Sequence, residues 1–310
     1  MSTQDTSPAN KSNFDTILVL DFGSQYTQLI ARRVREMNVY SEILPWDISS
    51  GRIKELNPKG IILSGGPESV TNSNTPRAPE IIFELGIPIL GICYGMQTLA
   101  EQFGGQVTSS KIKEFGHAQI TIENASSLFN GFDIGSNIDV WMSHGDHVSS
   151  LPDVFNLIAS TESAPIAAME HAEKPIYALQ FHPEVTHTKE GSIVLENFVI
   201  KICNATPGWK MDGLIAQKID KIKKQVGDKK VLLGLSGGVD SSVTAMLLDQ
   251  AIGQNLICMF VDNGLLRKNE AEDVESLFRE KLDLNLIVVD AKKIFHRHLK
   301  GVSDPEQKRK

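Results

Sequence analysis

Residues 14–204 alternate between short, continuous apolar runs and stretches in which apolar residues recur at helical spacing. A continuous run predicts a strand that is buried on both faces, and helical spacing predicts an amphipathic helix. The predicted strands are 16–22, 39–44, 60–66, 87–92 and 177–181, and the predicted helices include 24–37 and 191–203. This alternation favours an α/β fold with an open, mostly parallel sheet that has helices on both faces.

A second alternation of the same kind follows a Pro-Gly stretch at 205–212, which predicts a linker. Strands are predicted at 230–236, 255–263 and 285–291, and helices at 214–227, 240–253 and 270–282. Three strands make a thin domain, and the sequence ends in the highly charged DPEQKRK. We therefore expect 213–310 to be the first part of a second, incomplete α/β nucleotide-binding domain. The polar residues 1–13 predict a disordered leader.

Composition excludes several classes of protein. The 310 residues are 41% hydrophobic and 22% charged, which is typical of a soluble globular protein, and the formal net charge of −7 argues against a broad nucleic-acid surface. No apolar run approaches the roughly 18 residues of a membrane helix, so no membrane partner is expected. The three cysteines, Cys93, Cys203 and Cys258, are too scattered for a disulfide framework, which favours a cytoplasmic location.

Cys93 lies in the sequence Gly91-Ile92-Cys93-Tyr94-Gly95, where a predicted strand meets a helical pattern. G-x-C-x-G is the cysteine form of the nucleophile elbow, in which nearby glycines make room for a strained strand-to-helix turn. The turn presents the sulfur at the carboxyl end of the strand and at a helix N-terminus, which favours a thiolate. The alternative is a small buried hydrophobic residue.

His182 and Glu184 follow another predicted strand, in the sequence ALQFHPEV. In an extended segment residues i and i+2 point the same way, so the carboxylate can lie beside the imidazole. Pro183 stiffens the segment between them. A nucleophilic cysteine needs such an oriented base, although a chance surface pair is the alternative.

Acyl transfer also needs donors for an oxyanion. Gly65 and Gly66 end a predicted strand and expose backbone N–H groups, and the N–H of Tyr94 follows the nucleophile directly. The alternative for Gly65-Gly66 is an ordinary turn.

The sequence LGLSGGVDSS (233–242) predicts a strand, a glycine turn and a helix. Backbone N–H groups of such a loop, with a helix dipole behind them, form a cradle for phosphate, yet the sequence is not a Walker A loop. Asp240 is the candidate ligand for a Mg²⁺ ion that bridges phosphate oxygens. The alternative is a tight turn with Ser and Asp as helix caps.

These motifs carry a resemblance to known families. G-x-C-x-G together with H-P-E resembles the class I (triad) glutamine amidotransferases, and S-G-G-V-D-S-S resembles the ATP pyrophosphatases. The two in one chain resemble the GMP synthetase family, over about residues 14–310. The resemblance implies a catalytic triad of Cys93, His182 and Glu184. It also implies that Gln97 and the stretch Ser143-His144-Gly145 contact glutamine. For ATP it implies contacts from Ser236, Gly237, Gly238, Val239, Asp240, Ser241, Ser242 and Val261.

The resemblance further implies a reaction. Glutamine would release ammonia at the triad, ATP with Mg²⁺ would adenylate xanthosine monophosphate (XMP), and ammonia would displace AMP to give GMP. Full-length members are homodimers and continue well beyond residue 310. We therefore expect a complete glutaminase site and no complete synthetase activity in these 310 residues. The alternatives are another triad amidotransferase, a stand-alone cysteine hydrolase with a nucleotide-binding module, and a non-catalytic ATP-binding regulatory module.

Overall fold

The computed structural model describes residues 14–304 and 307–308, except for the side chains of 110–113 and 211–212. The described chain forms two compact units, and the boundary between them along the chain falls between Trp209 and Lys210. This division falls inside the predicted linker 205–212, and the predicted leader 1–13 lies outside the described residues. None of the described helices is both long enough and apolar enough to cross a bilayer.

Nine of the described strands form one sheet in the first unit, in the order β2-β1-β3-β4-β9-β8-β7-β5-β6. These strands are β1 (Thr16–Asp21), β2 (Tyr40–Pro45), β3 (Gly60–Leu63), β4 (Ile89–Ile92), β5 (Gln106–Ile122), β6 (Asn137–Ser150), β7 (Phe155–Ser160), β8 (Ala168–His171) and β9 (Ile176–Leu179). The first five in this order are parallel, as the continuous apolar runs predicted. The expected α/β class with a large, mostly parallel sheet is confirmed.

The helices of the first unit cover the parallel strands. They are α1 (Thr27–Glu36), α2 (Ser50–Leu56), α3 (Tyr94–Gln102) and α4 (Gly191–Glu196), with a π-helical turn Asn197–Ile202 after α4 and 3₁₀ turns at Glu80–Phe83 and Ser127–Phe129. Alternate residues of β1 belong to two separate cores: Ile17 packs in the cluster that contains Ile30 of α1, and Leu18 in the cluster that contains Leu99 of α3. The period of two along a strand therefore gives each face of the sheet its own layer of helices.

Strands β5 to β8 extend the sheet in antiparallel fashion. The sequence analysis did not predict them. On β6, Ile138, Val140 and Met142 are buried and the residues between them are partly exposed. This pattern is typical of an antiparallel strand that packs on the core with one face only, and it gives no continuous apolar run.

The second unit contains three described parallel strands in the order β10-β11-β12, namely β10 (Val231–Leu235), β11 (Leu256–Asp262) and β12 (Leu286–Asp290). Its helices are α5 (Met211–Val226), α6 (Val239–Ile252), α7 (Glu270–Glu275) and α8 (Lys292–Leu299), with a 3₁₀ turn at Gly253–Asn255 and a π-helical turn at Ser276–Lys281. Leu235, Phe260 and Leu286 pack in its core, whereas Leu232 and Ile287 are exposed.

Helix α3 lies close against β3 at Gly95. A Cβ atom at this position would overlap the carbonyl oxygen of Leu63, and one at Gly91 would come within 2.6 Å of the carbonyl oxygen of Gly95. The two glycines of the elbow therefore allow the strand and the helix to approach each other around Cys93.

We expect Gly95→Ala to destabilise the protein by about 2 kcal/mol or more, because the new methyl group overlaps backbone atoms that cannot rotate away. Chemical denaturation measures this loss. Gly51→Ala is the matched control: Gly51 lies in α2, a Cβ there would meet nothing within 4 Å, and helix propensity should stabilise the variant by roughly 0.5–1 kcal/mol. Equal effects of the two substitutions would contradict this account.

Candidate active site

Cys93 occupies a strained turn between β4 and α3. Its backbone has φ 53° and ψ −105°, a left-handed conformation that residues with a side chain rarely adopt. The N–H of Cys93 donates to the carbonyl oxygen of Leu179 on β9 at 2.7 Å, which holds the turn against the neighbouring parallel strand. The predicted elbow geometry is therefore present, and Cys93 is 6% exposed.

His182 and Glu184 form a buried pair directly after β9. The Nδ1 atom of His182 lies 2.7 Å from Oε1 of Glu184, and the two residues are 3% and 0% exposed. Glu184 contacts His182, is fully buried and does not line the cavity described below.

Burial by itself lowers the pKa of His182, but the Glu184 carboxylate and hydrogen bonds with Cys93 and Glu184 outweigh it. The net result is a pKa of His182 well above its ordinary value. The imidazole is therefore a strong proton acceptor, and it lines the same cavity as Cys93.

Several residues hold this pair in place. The hydroxyl of Thr188 donates to the carbonyl oxygen of His182 at 2.7 Å, and the His182 N–H donates to the carbonyl oxygen of Trp141 on β6 at 3.0 Å. Nε of Arg33 on α1 donates to the carbonyl oxygen of Glu184 at 2.8 Å. The ring of Tyr26 meets His182 edge-on, with 5.0 Å between ring centroids.

A cavity of about 600 Å³ opens onto Cys93 and His182. The sequence-predicted residues that line it are Gly65, Gly66, Cys93, Gln97, Ser143, His144, Gly145 and His182. It is built from the loops after β1, β3, β4 and β9, from α3, and from β5 and β6. Ligands bind at this carboxyl edge in open α/β sheets, so the structure brings the predicted residues of the first unit together at one edge of the sheet.

The predicted oxyanion donors, Gly66 and Tyr94, both carry available N–H groups. Within the described part of the chain, neither N–H donates to a backbone or side-chain acceptor. The Tyr94 side chain points elsewhere, since its hydroxyl donates to the carbonyl oxygen of Pro76 at 2.7 Å. Only the backbone of Tyr94 can therefore contribute to the site.

Gln97 and His144 are buried at the wall of the cavity. The Nε2 atom of Gln97 donates to the carbonyl oxygen of Asp146 at 2.8 Å, so this amide already has a protein partner. His144 lies with Nε2 3.3 Å from a Glu114 oxygen, and burial lowers the pKa of His144. His144 is therefore a neutral ring at neutral pH.

In the second unit, the loop Ser236–Gly238 joins β10 to the N-terminus of α6. Gly237 has φ 75°, and the hydroxyls of Ser241 and Ser242 donate to the carbonyl oxygen of Gly238 at 3.0 and 2.8 Å. The loop and the first two residues of α6, Val239 and Asp240, are exposed, and Ser241 and Ser242 are half-buried. An exposed glycine turn at the start of a 14-residue helix is the arrangement that the phosphate-cradle prediction required.

Val261 and Asp262 end β11, the strand next to β10. Val261 is 38% exposed, whereas Asp262 is buried and lies 2.9 Å from Nζ of Lys292. The hydrogen bond from Lys292 lowers the pKa of Asp262. In the described residues, no group of three or more His, Cys, Asp or Glu side chains is arranged to hold a metal ion. Asp240 is an exposed carboxylate on the first turn of α6, and a carboxylate oxygen of Glu270 lies close to Gly237 in the same loop.

Sequence reasoning missed Ser24, Tyr26, Arg33 and Gln180. Ser24 and Tyr26 belong to the loop after β1, whose position at the same sheet edge was predictable although its contacts were not. Gln180 is fully buried, and its Nε2 lies 3.8 Å from Sγ of Cys93. The signal for Gln180 was present, because it precedes His182 by two residues in an extended segment.

Comparisons with known proteins show which families the chain resembles. The family of class-I glutamine amidotransferases matches residues 18–202, and the NAD synthase family matches residues 214–309. A GMP synthase (glutamine-hydrolyzing) from Hamiltonella defensa is 55% identical over 300 residues, which cover 95% of this chain and 57% of that protein. One from Vibrio parahaemolyticus is 56% identical over 294 residues, covering 95% and 56%. The chain thus spans a little over half the length of these curated relatives.

A solved structure from Thermoplasma acidophilum, described as a GMP synthase subunit, superposes with a TM-score of 0.55 at 36% identity. The match covers 62% of this chain and 95% of that one, which corresponds in extent to the first unit. The family match includes the elbow at Cys93 and the segment with His182 and Glu184. The chain belongs to the class-I glutamine amidotransferase family.

Proposed function

We propose that the first unit hydrolyses the side-chain amide of glutamine with Cys93 as nucleophile, His182 as base and Glu184 as the carboxylate that orients His182. The observation that carries this proposal is the strained turn that places Cys93 against the buried His182–Glu184 pair, at the edge of a cavity of about 600 Å³. Family membership supports it.

The residues divide the reaction into two steps. His182 accepts the thiol proton, and Sγ of Cys93 attacks the amide carbon of glutamine. The N–H groups of Gly66 and Tyr94 stabilise the oxyanion, and His182 returns a proton to the departing ammonia. A water molecule, deprotonated by His182, then cleaves the thioester and releases glutamate. Glu184 stabilises the imidazolium that forms in both steps.

The second unit binds ATP in the same proposal. The exposed Ser236–Gly238 turn and the N–H groups at the start of α6 would hold phosphate, with Ser241 and Ser242 beside it and Val261 near the base. The exposed carboxylate of Asp240 fits Mg²⁺, which commonly combines one or two carboxylates with waters and substrate phosphates. When bound, the ion would neutralise charge on the phosphate oxygens.

For the whole protein we propose the activity of its relatives, which is glutamine-hydrolysing GMP synthesis from XMP, ATP and glutamine. Its support is 55–56% identity to GMP synthases over 95% of this chain. The test is ATP-dependent release of pyrophosphate in the presence of XMP by the full-length protein. No release under these conditions would overturn this part of the proposal and leave the glutaminase proposal standing.

Cys93→Ala should lower glutamate release from glutamine by at least about a thousandfold, because no other group can form the thioester. Cys203→Ala is the control, since Cys203 is buried in the core of the same unit and does not line the cavity. Glutamate is measured with the folded state verified by circular dichroism. Glutamate release by Cys93→Ala at the wild-type rate would exclude the triad.

Glu184→Gln should destabilise the protein by about 2 kcal/mol at about pH 6 and by progressively less towards about pH 9. The pKa of His182 is raised in the folded state, so the stabilisation from the pair is complete below the ordinary value of 6.5 and is lost as the pH rises through the raised pKa. Urea denaturation across this range measures the difference from wild type.

Asp139→Asn is the matched control for that series. Asp139 lies 2.9 Å from an exposed histidine, His117, so the substitution should change the stability little at every pH. If the loss of stability in Glu184→Gln grew as the pH rises, it would contradict the pairing of a protonated His182 with the Glu184 carboxylate.

Asp240→Asn should weaken Mg²⁺-dependent binding of ATP to the full-length protein by about tenfold, which corresponds to roughly 1.4 kcal/mol. Isothermal titration calorimetry with and without Mg²⁺ measures it. Asp249→Asn removes the same charge from the last turn of the same helix, away from the loop, and should leave ATP binding unchanged. Equal binding by all three proteins would remove Asp240 from the site.

A further inference from the structure

Gln180 is a buried amide that contacts the nucleophile directly. It is 0% exposed, its N–H donates to the carbonyl oxygen of Ala167 at 2.8 Å, and its Nε2 lies 3.8 Å from Sγ of Cys93. The residue before it, Leu179, accepts the N–H of Cys93. The end of β9 therefore holds both the backbone and the sulfur of Cys93.

The orientation of this amide follows from its neighbours. Nε2 of Gln97 lies 2.8 Å from the carbonyl oxygen of Asp146, which can only accept, so the atom of Gln97 that faces it must be the nitrogen. The same nitrogen lies 3.5 Å from the Gln180 amide and must there meet an oxygen. The NH₂ group of Gln180 consequently faces Sγ of Cys93.

The sulfur has a second polar neighbour, which accepts a hydrogen bond rather than donating one. The carbonyl oxygen of Ser143 lies 3.7 Å from Sγ and can only accept, so it stabilises the thiol. The NH₂ of Gln180 donates, and a thiolate is a much better acceptor than a thiol. The two contacts therefore favour different protonation states of the same atom.

We propose that Gln180 is a catalytic hydrogen-bond donor to Cys93, which stabilises the thiolate both before it attacks and when it leaves. This inference rests on the proposed function, in which Cys93 is the nucleophile. The thiolate forms when His182 takes the proton, and its electron pair makes the carbon–sulfur bond. When water cleaves the thioester, that bond breaks and the electron pair returns to sulfur. The hydrogen bond from the Gln180 NH₂ group is strongest in these two steps, because the sulfur is then a thiolate.

The titratable groups near Sγ come from several elements, and the experiment must keep them unchanged. They are Tyr26 from the loop before α1, Glu68 from the loop after β3, His144 and Asp146 from β6, and His182 and Glu184 from the segment after β9. A variant of Gln180 alters none of these charges. Its effect on the pH dependence of Cys93 is therefore separable from theirs.

The test is the rate of alkylation of Cys93 by iodoacetamide as a function of pH, with the modified residue identified by mass spectrometry. Gln180→Met keeps the length of the side chain and removes the donor. We expect alkylation at neutral pH to slow by about tenfold, and the pH midpoint of alkylation to rise by about one unit. At high pH, where every cysteine is ionised, the variant should react as fast as the wild type.

In glutamine hydrolysis by Gln180→Met, kcat should fall while KM changes little.

Gln102→Met is the control for loss of a partly buried amide. Gln102 lies on α3, and its amide contacts Ala78 and Glu80 rather than Cys93. We expect this variant to lose stability and keep the wild-type pH midpoint. Gln180→Glu is a second test variant, which removes the amide donor and also adds a negative charge beside Sγ, so it should raise the midpoint further than Gln180→Met does.

A wild-type measurement covers the case in which neither Gln180 variant folds. In protein labelled with ¹⁵N-glutamine, one side-chain amide resonance should titrate with the midpoint of Cys93 alkylation and cease to titrate once Cys93 is alkylated. Absence of such a resonance, or an unchanged midpoint in a folded Gln180 variant, would overturn the role of Gln180. Failure of wild-type Cys93 to react at all, or full activity of Cys93→Ala, would instead overturn the proposed function.

Discussion

The turn at Cys93 is the constraint on which the rest of the first unit depends. A left-handed conformation at a residue with a side chain costs about 1–3 kcal/mol, and it persists only where the surroundings fix it. Here the surroundings are the close approach of α3 to β3 at Gly95 and the hydrogen bond from Cys93 to Leu179. The packing of the parallel strands therefore stabilises a backbone conformation that the local sequence alone disfavours.

The same packing determines what lies near the sulfur. Strands β3, β4 and β9 are neighbours and run parallel, so the loops after them converge at one edge of the sheet. Gly66 follows β3, Cys93 follows β4 and His182 follows β9. An antiparallel order would have placed these residues at opposite edges. The parallel half of the sheet is thus the part that assembles the site, and the antiparallel strands contribute Ser143 and His144 through β6.

The sequence predicted the fold best where apolar residues follow one another in a regular pattern. Continuous apolar runs identified the parallel strands, and the position of Cys93 and His182 at the ends of two such runs predicted that they meet. Alternation on β6 was present in the sequence but lies in a polar context, so the antiparallel strands were not predicted. Contacts between distant segments were beyond local reasoning: Arg33 precedes its acceptor Glu184 by 151 residues. Gln180 was overlooked because a buried amide after a strand suggests no chemistry until its partner is known.

In the proposed function the two units use a similar local structure for different chemistry. Each has a parallel strand, a tight turn with positive φ and a helix that begins at the turn, so each directs helix N–H groups at a site where negative charge is favourable. In the first unit the residue with positive φ is Cys93, which carries the negative charge itself when ionised and needs glycines beside it to fit. In the second unit the residue is Gly237, which lies one position further from its helix, and a Cβ there would contact Val274 and the carboxylate of Glu270. In the proposed function the first turn therefore carries the negative charge on its own side chain, whereas the second leaves the N–H groups at the start of α6 to an external phosphate.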